Sequence, residues 1–139
     1  MSMRTPKVSW LGLVTALAIV AQATAGELGV VVVMAPGAPA LSKDQIASIY
    51  LGRNNELKPL DLPDSNPTRE SFYKRATDRD ANQVKAVWSR IIFTGQGQPP
   101  KEVPDAAAVK KAVAADPKAV GYIAKSDVDA SVKVVLSLD

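Results

Sequence analysis

Residues 28–35, Leu-Gly-Val-Val-Val-Val-Met-Ala, hold four consecutive valines and no polar side chain. β-Branched side chains lose rotamer freedom in a helix and fit a pleated strand. A strand with one wet face alternates apolar and polar residues, and this run does not alternate. It reads as a strand covered on both faces, as in a parallel sheet lying between helices. Pro36-Gly37-Ala38-Pro39 then breaks the strand.

The rest of the chain supplies the covering elements. Ser42-Lys43-Asp44-Gln45 is a capping box, in which the hydroxyl and the Gln amide each satisfy an orphan backbone N–H. Leu41 and Ile46 can staple that helix start, Ile46, Ile49 and Tyr50 form its buried stripe, and Gly52 stops it. Arg53-Asn54-Asn55 is a turn, and Leu57 to Leu62 alternates as a short strand. Asn66 is the expected N-cap of a second helix with Pro67 at its first position and Phe72, Tyr73 and Ala76 inward. Asp80 caps a third helix, with Val84, Val87, Trp88, Ile91 and Ile92 on one amphipathic face. Thr94 to Pro104 is a Gly/Pro loop. Asp105 caps an Ala-rich helix with Val109, Ala112 and Val113 inward, ended by Asp116-Pro117. Ala119 to Ala124 and Val132 to Leu138 are the last strands. The order β-α-β-α-α-α-β-β predicts an α/β sandwich: a mixed sheet, with at least some parallel pairing, flanked by helices.

Composition narrows the chemistry. The 139 residues include no cysteine and no histidine. Disulfides, thiolate or His-ligated metal sites, thiol nucleophiles and a Ser-His-Asp triad are excluded. Carboxylates, Arg/Lys, hydroxyls and backbone dipoles remain, and these are more often tools of binding than of catalysis. No catalytic residue, cofactor or metal is expected. Arg4 and Lys7, the apolar stretch Trp10 to Ala21 and the Ala23-Thr24-Ala25 site form a secretory signal over residues 1–25. Its apolar part is shorter than the roughly 20 residues of a membrane span. Cleavage after Ala25 would leave residues 26–139, beginning at Gly26, as one periplasmic domain. That part carries 15 basic and 14 acidic residues. A balance so near neutral gives no basis for a nucleic-acid partner.

One segment stands out as a candidate site. Asp64-Ser65-Asn66-Pro67-Thr68-Arg69 puts short polar side chains, backbone N–H groups and a cation at a helix start that follows a strand. Helix N-termini carry a partial positive charge and unpaired donors, so they attract anions. Asp64, Asn66, Thr68 and Arg69 are the candidate ligand residues. The same residues also suit an ordinary cap and turn with a solvated arginine. Gly95-Gln96-Gly97 lacks the endings of a phosphate-binding or dinucleotide-binding loop. Asp78, Asp80 and Asn82 match the first ligand spacings of a calcium loop, but Gln83 and Ser89 occupy its required Gly and Glu positions.

Three stretches carry a family resemblance. Leu41 to Arg53 (LSKDQIASIYLGR), Val87 to Pro100 (VWSRIIFTGQGQPP) and Asp116 to Val128 (DPKAVGYIAKSDV) resemble, in this order, segments of phosphate ABC-transporter substrate-binding proteins. The resemblance implies a type II periplasmic-binding-protein fold, of which this chain has room for a single lobe. The family's phosphate loop reads Arg-x-Asp-Gly-Ser-Gly-Thr. Asp64 falls on its Asp, Thr68 on its Thr and Phe72 on a following aromatic residue. Leu62 stands at the Arg, Ser65 and Pro67 replace the glycines, and Asn66 replaces the Ser. Arg69, one turn on, is positioned to restore the cation.

The expected function is a secreted, non-enzymatic solute-binding-like protein for phosphate or a similar oxyanion, in uptake or sensing. Half the size of a full member, it would bind weakly, or have its binding completed by another copy of itself or by a membrane transporter or sensor. The alternative is a periplasmic scaffold that docks a membrane receptor or transporter and binds no small anion.

Overall fold

The computed structural model describes residues 29–138. The expected signal peptide over residues 1–25 and its cleavage site lie outside the described residues. Nine principal elements follow one another: β1 (Val30–Met34), α1 (Lys43–Tyr50), β2 (Lys58–Asp61), α2 (Pro67–Thr77), α3 (Ala81–Phe93), β3 (Lys101–Glu102), α4 (Ala106–Ala115), β4 (Ala119–Ala124) and β5 (Lys133–Ser137). The strands form one sheet in the order β3-β2-β4-β1-β5. This is the mixed α/β sheet that the sequence pattern predicts.

Strand direction corrects one expectation. β1 is buried along its whole length, yet it pairs antiparallel with both β4 and β5. The parallel pairing lies instead between β2 and its two neighbours, β3 and β4. An unbroken valine run reports burial on two faces, and burial does not depend on the direction of the neighbouring strands.

The two faces of the sheet are covered differently. On β4, Gly121 and Tyr122 point to opposite sides. At Gly121 the helix α4 comes so close that an added Cβ would lie 2.6 Å from Val109 Cγ1. At Tyr122 the ring stacks on Phe72 of α2, centroids 3.9 Å apart and planes 3° from parallel. Tyr50, Phe72, Tyr73 and Tyr122 thus form an aromatic cluster beneath α1 and α2, all four essentially shielded from water. Tyr50 closes the layer by donating to the Leu60 carbonyl at 2.7 Å. α3 lies outermost, anchored by Trp88 Nε1, which donates to the Tyr50 carbonyl at 2.9 Å.

Local signals are built as the sequence indicates. Ser42 with Gln45 and Asp80 with Gln83 are both reciprocal capping boxes, and Asn66 caps α2 with Pro67 at its first turn. Gly52 has φ +80°, a conformation that favours glycine. Two details differ. The loop expected over residues 94–104 contains the two-residue strand β3. Ile92, expected on the buried face of α3, is 51% exposed. The last turn of α3 outruns the layer on which the helix packs, and the next residue, Phe93, is 91% exposed.

Candidate functional site

The site grows out of the end of β2. Continuing the β2–β4 register one pair beyond Leu60 brings Asp61 beside Tyr122, on the aromatic face of the sheet. Asp61 is a carboxylate buried to 6% exposure. A buried charge needs charged or hydrogen-bonding partners, and Asp61 has four. Tyr73 Oη donates to Oδ2 at 2.6 Å, Tyr122 Oη donates to Oδ1, Leu62 N–H donates to Oδ1 at 2.9 Å, and Arg69 Nε donates to Oδ1 at 3.3 Å. Tyr122 Oη in turn accepts from Leu62 N–H at 3.1 Å, which closes the network.

Two neutral phenols and one guanidinium therefore converge on one carboxylate. Burial, followed by the charge of Asp61, pushes the phenols of Tyr73 and Tyr122 far above their ordinary range, so both remain hydrogen-bond donors. Burial alone would lower the basicity of Arg69, but Asp61, Tyr73 and Asp64 raise it further. Its Cζ also lies 5.3 Å from the Tyr73 ring centroid, in cation–π contact.

On its outer side Arg69 Nη1 is bound to Asp64, and Lys85 Nζ of α3 approaches the other oxygen of Asp64 at 3.5 Å. Asp64 thus bridges two cations while its own side chain stays 67% exposed. Arg69 is only 13% exposed. Its Nη2 has no protein partner among the described residues.

Arg69 and Lys85 form a ridge between two concavities. One, of about 210 Å³, is polar and is bordered by Asp64, Glu70 and Asn82. The other, of about 350 Å³, runs between Asp61 and Tyr73 on one side, Val84, Trp88, Ser89 and Ile92 of α3 on the second, and Pro99, Pro100 and Glu102 on the third. Among the described residues no group of Asp and Glu is placed to hold a metal ion.

Of the four residues expected from sequence, the structure brings Asp64 and Arg69 into contact. Asn66 and Thr68 border neither concavity. Asn66 Oδ1 accepts from Thr68 N–H at 2.9 Å, Asn66 O accepts from Arg69 N–H at 3.0 Å, and Pro67 has no N–H. The backbone donors of this helix start are largely taken by its own cap. Asp61 and Lys85 were not singled out from sequence. The one available signal for Asp61 was an acid between Leu60 and Leu62 in a strand otherwise read as apolar at that end.

A mixed five-stranded sheet with helices on both faces matches a single lobe of the phosphate-binding-protein fold. No family model and no curated protein matches the chain. Among solved structures, it is similar to an ABC-type phosphate transport receptor from Vibrio cholerae, with TM-score 0.60 and 22% identity, covering 78% of this chain and 45% of the receptor. It is also similar to a protein from Clostridium perfringens described as a phosphate ABC transporter substrate-binding protein with bound phosphate. There the TM-score is 0.62 and the identity 21%, covering 78% of this chain and 44% of the other. The chain thus spans under half the length of either structure. At these identities the likeness establishes the fold.

Proposed function

We propose that this chain is a non-enzymatic, secreted solute-binding domain that takes phosphate or a related oxyanion at the Asp64–Arg69 corner, in uptake or sensing. One observation carries the reading. Arg69 and Lys85 share a single exposed carboxylate, Asp64, at the rim of a cleft. Two cations that share an exposed carboxylate can share an incoming oxyanion in its place. Asp64 would then stay near enough to accept a hydrogen bond from a protonated oxygen of the anion, which favours hydrogen phosphate over sulfate. Asn66 and Thr68, which border neither concavity, serve this site by capping the helix start that carries Arg69.

In this reading residues 1–25 direct export, cleavage after Ala25 frees Gly26, and the domain works in the periplasm. A single lobe leaves a bound anion open to water on one side, where screening weakens each contact. The affinity of a lone domain is accordingly expected in the micromolar to millimolar range, about −8 to −4 kcal/mol. Tighter binding would need a second copy, or the outer domain of a membrane transporter or sensor, over residues 64–69 and 94–100.

A second reading rests on the same corner. Arg69 is already paired with two carboxylates, which favours a domain whose arginine is structural and whose role is to dock a membrane receptor or transporter. Calorimetry of the mature protein with inorganic phosphate separates the two. Binding is expected, and Arg69→Ala should remove a charged hydrogen bond worth about 1.5–3 kcal/mol, weakening phosphate about tenfold or more. Lys85→Ala, at a more exposed position, should weaken it less. A folded protein that takes up no phosphate leaves the scaffold reading.

A further inference from the structure

The larger cleft beside the cation ridge has chemistry that a bare phosphate does not use. Its anion-binding end is defined by Arg69 and Lys85. Arg69 Nε is held by Asp61, which fixes the guanidinium plane, and Nη2 remains without a protein partner among the described residues. Beyond this end the cleft turns apolar. Trp88 presents only carbon there, because its one polar atom already donates to the Tyr50 carbonyl. Pro99 and Pro100 have no N–H to offer, and Val84 and Ile92 complete the wall. The volume of about 350 Å³ lies within the range of small-molecule pockets and holds on the order of ten water volumes. Inorganic phosphate would fill a small part of it and leave most of its oxygens facing carbon, with the Ser89 hydroxyl as the one neutral side-chain donor along that wall. Glu102 borders the same cleft and disfavours a second anionic group there.

Resting on the anion site proposed above, we infer that the ligand is an organic anion: a phosphoryl head, as in a phosphonate or a phosphate monoester, carrying one uncharged apolar substituent. The head replaces Asp64 on Arg69 and Lys85. The substituent lies along Trp88, Ile92 and the Pro99-Pro100 wall, displacing water from carbon surface that the protein leaves uncovered. Shape and the scarcity of donors along the wall, where Ser89 supplies the one neutral hydroxyl, select against free phosphate.

Calorimetry of the mature protein with phenylphosphonate and with inorganic phosphate tests this. Phenylphosphonate is expected to bind tighter by about tenfold or more. Ile92→Ser should reduce the ratio of the two affinities several-fold. Ile92 is half-exposed, so this variant keeps its fold, which circular dichroism verifies. Phosphate binding as tightly as phenylphosphonate, or more tightly, overturns the inference and leaves the anion site standing. A preference for phenylphosphonate that Ile92→Ser does not change also overturns it, because the substituent then lies elsewhere. Binding of neither anion removes the inference together with the site on which it rests.

Discussion

The corner at the end of β2 and the far end of α3 lie on either side of one cleft, and they are built on opposite principles. At the β2 corner every polar group of Asp61, Tyr73 and Tyr122 has a partner, and all three residues are nearly inaccessible to water. At the end of α3, Ile92 and Phe93 stand in solvent beside a segment rich in Gly and Pro. In the first region geometry is over-determined, so removing one group leaves others buried and unpaired. In the second, little is held and little would be lost. A cleft with one fixed wall and one loose wall can orient a charged head while it adapts to the rest of a ligand or to a partner.

The largest break in this contrast comes from Asp61. Asp61→Ala leaves Arg69, 13% exposed, against two phenols that have lost their acceptor. Breaking a buried ion pair from one side costs about 3–5 kcal/mol, a large part of the roughly 5–15 kcal/mol that a domain of this kind possesses. Denaturant unfolding should show that loss, or a protein that no longer folds. Tyr73→Phe removes one donor and should cost about 1–3 kcal/mol, which gives a measurable value even if the alanine variant fails. Two variants that unfold like the wild type would mean that the corner is no more constrained than the surface.

The second test uses pH. Burial, and next the Asp61 carboxylate, raise the phenols of Tyr50, Tyr73 and Tyr122 above their ordinary value of about 10. Above about pH 10 the unfolded chain releases those protons while the folded chain keeps them. Stability from these groups is therefore complete below about pH 10 and is lost as pH rises beyond it. Each group contributes about 1.4 kcal/mol per pH unit, so the three together give a slope of about 4 kcal/mol per unit. Unfolding free energies measured from about pH 8 to 11 should stay flat and then fall steeply, and Tyr122→Phe should remove about one third of the slope. A shallow decline matching that of exposed tyrosines would show that the corner admits water.

The contrast also explains what could be read in advance. Signals within a few residues of each other were legible: the reciprocal caps at Ser42 and Asp80, the Asn66-Pro67 helix start and the Gly52 stop. The burial of β1 was legible because four valines leave no wet face. Strand direction was not, since it depends on the path of the chain between strands. Asp64 and Arg69 lie five residues apart in one segment and read together as candidate ligand residues, though not as an ion pair, whereas the partners of Asp61 on Tyr73 and Tyr122 lie 12 and 61 residues away. Tyr73 was correctly placed inward as an apolar ring, but nothing local announced that its hydroxyl would serve a carboxylate. Lys85 lies in a stretch of mixed charge with no local mark of its own, and its approach to Asp64 arises from the packing of α3 against α2. β3 is two exposed residues long, too short to carry any periodicity.

The smallest expected effect sharpens the other side of the comparison. Phe93 is a large apolar side chain at 91% exposure, so folding removes almost none of it from water, and the hydrophobic contribution scales with the area removed. Its position on the last turn of α3 is held by the backbone of the helix, with Thr94 N–H donating to Arg90 O at 3.1 Å. Phe93→Ser keeps that backbone, and serine in place of phenylalanine changes helix propensity little at a terminal turn. The unfolding free energy should therefore stay within about 0.5 kcal/mol of the wild type, an order of magnitude below the Asp61→Ala effect. Thermal and denaturant unfolding of the two variants side by side measures the ratio. A loss above about 1 kcal/mol in Phe93→Ser would mean that the end of α3 is packed in solution, and the cleft would then have two fixed walls.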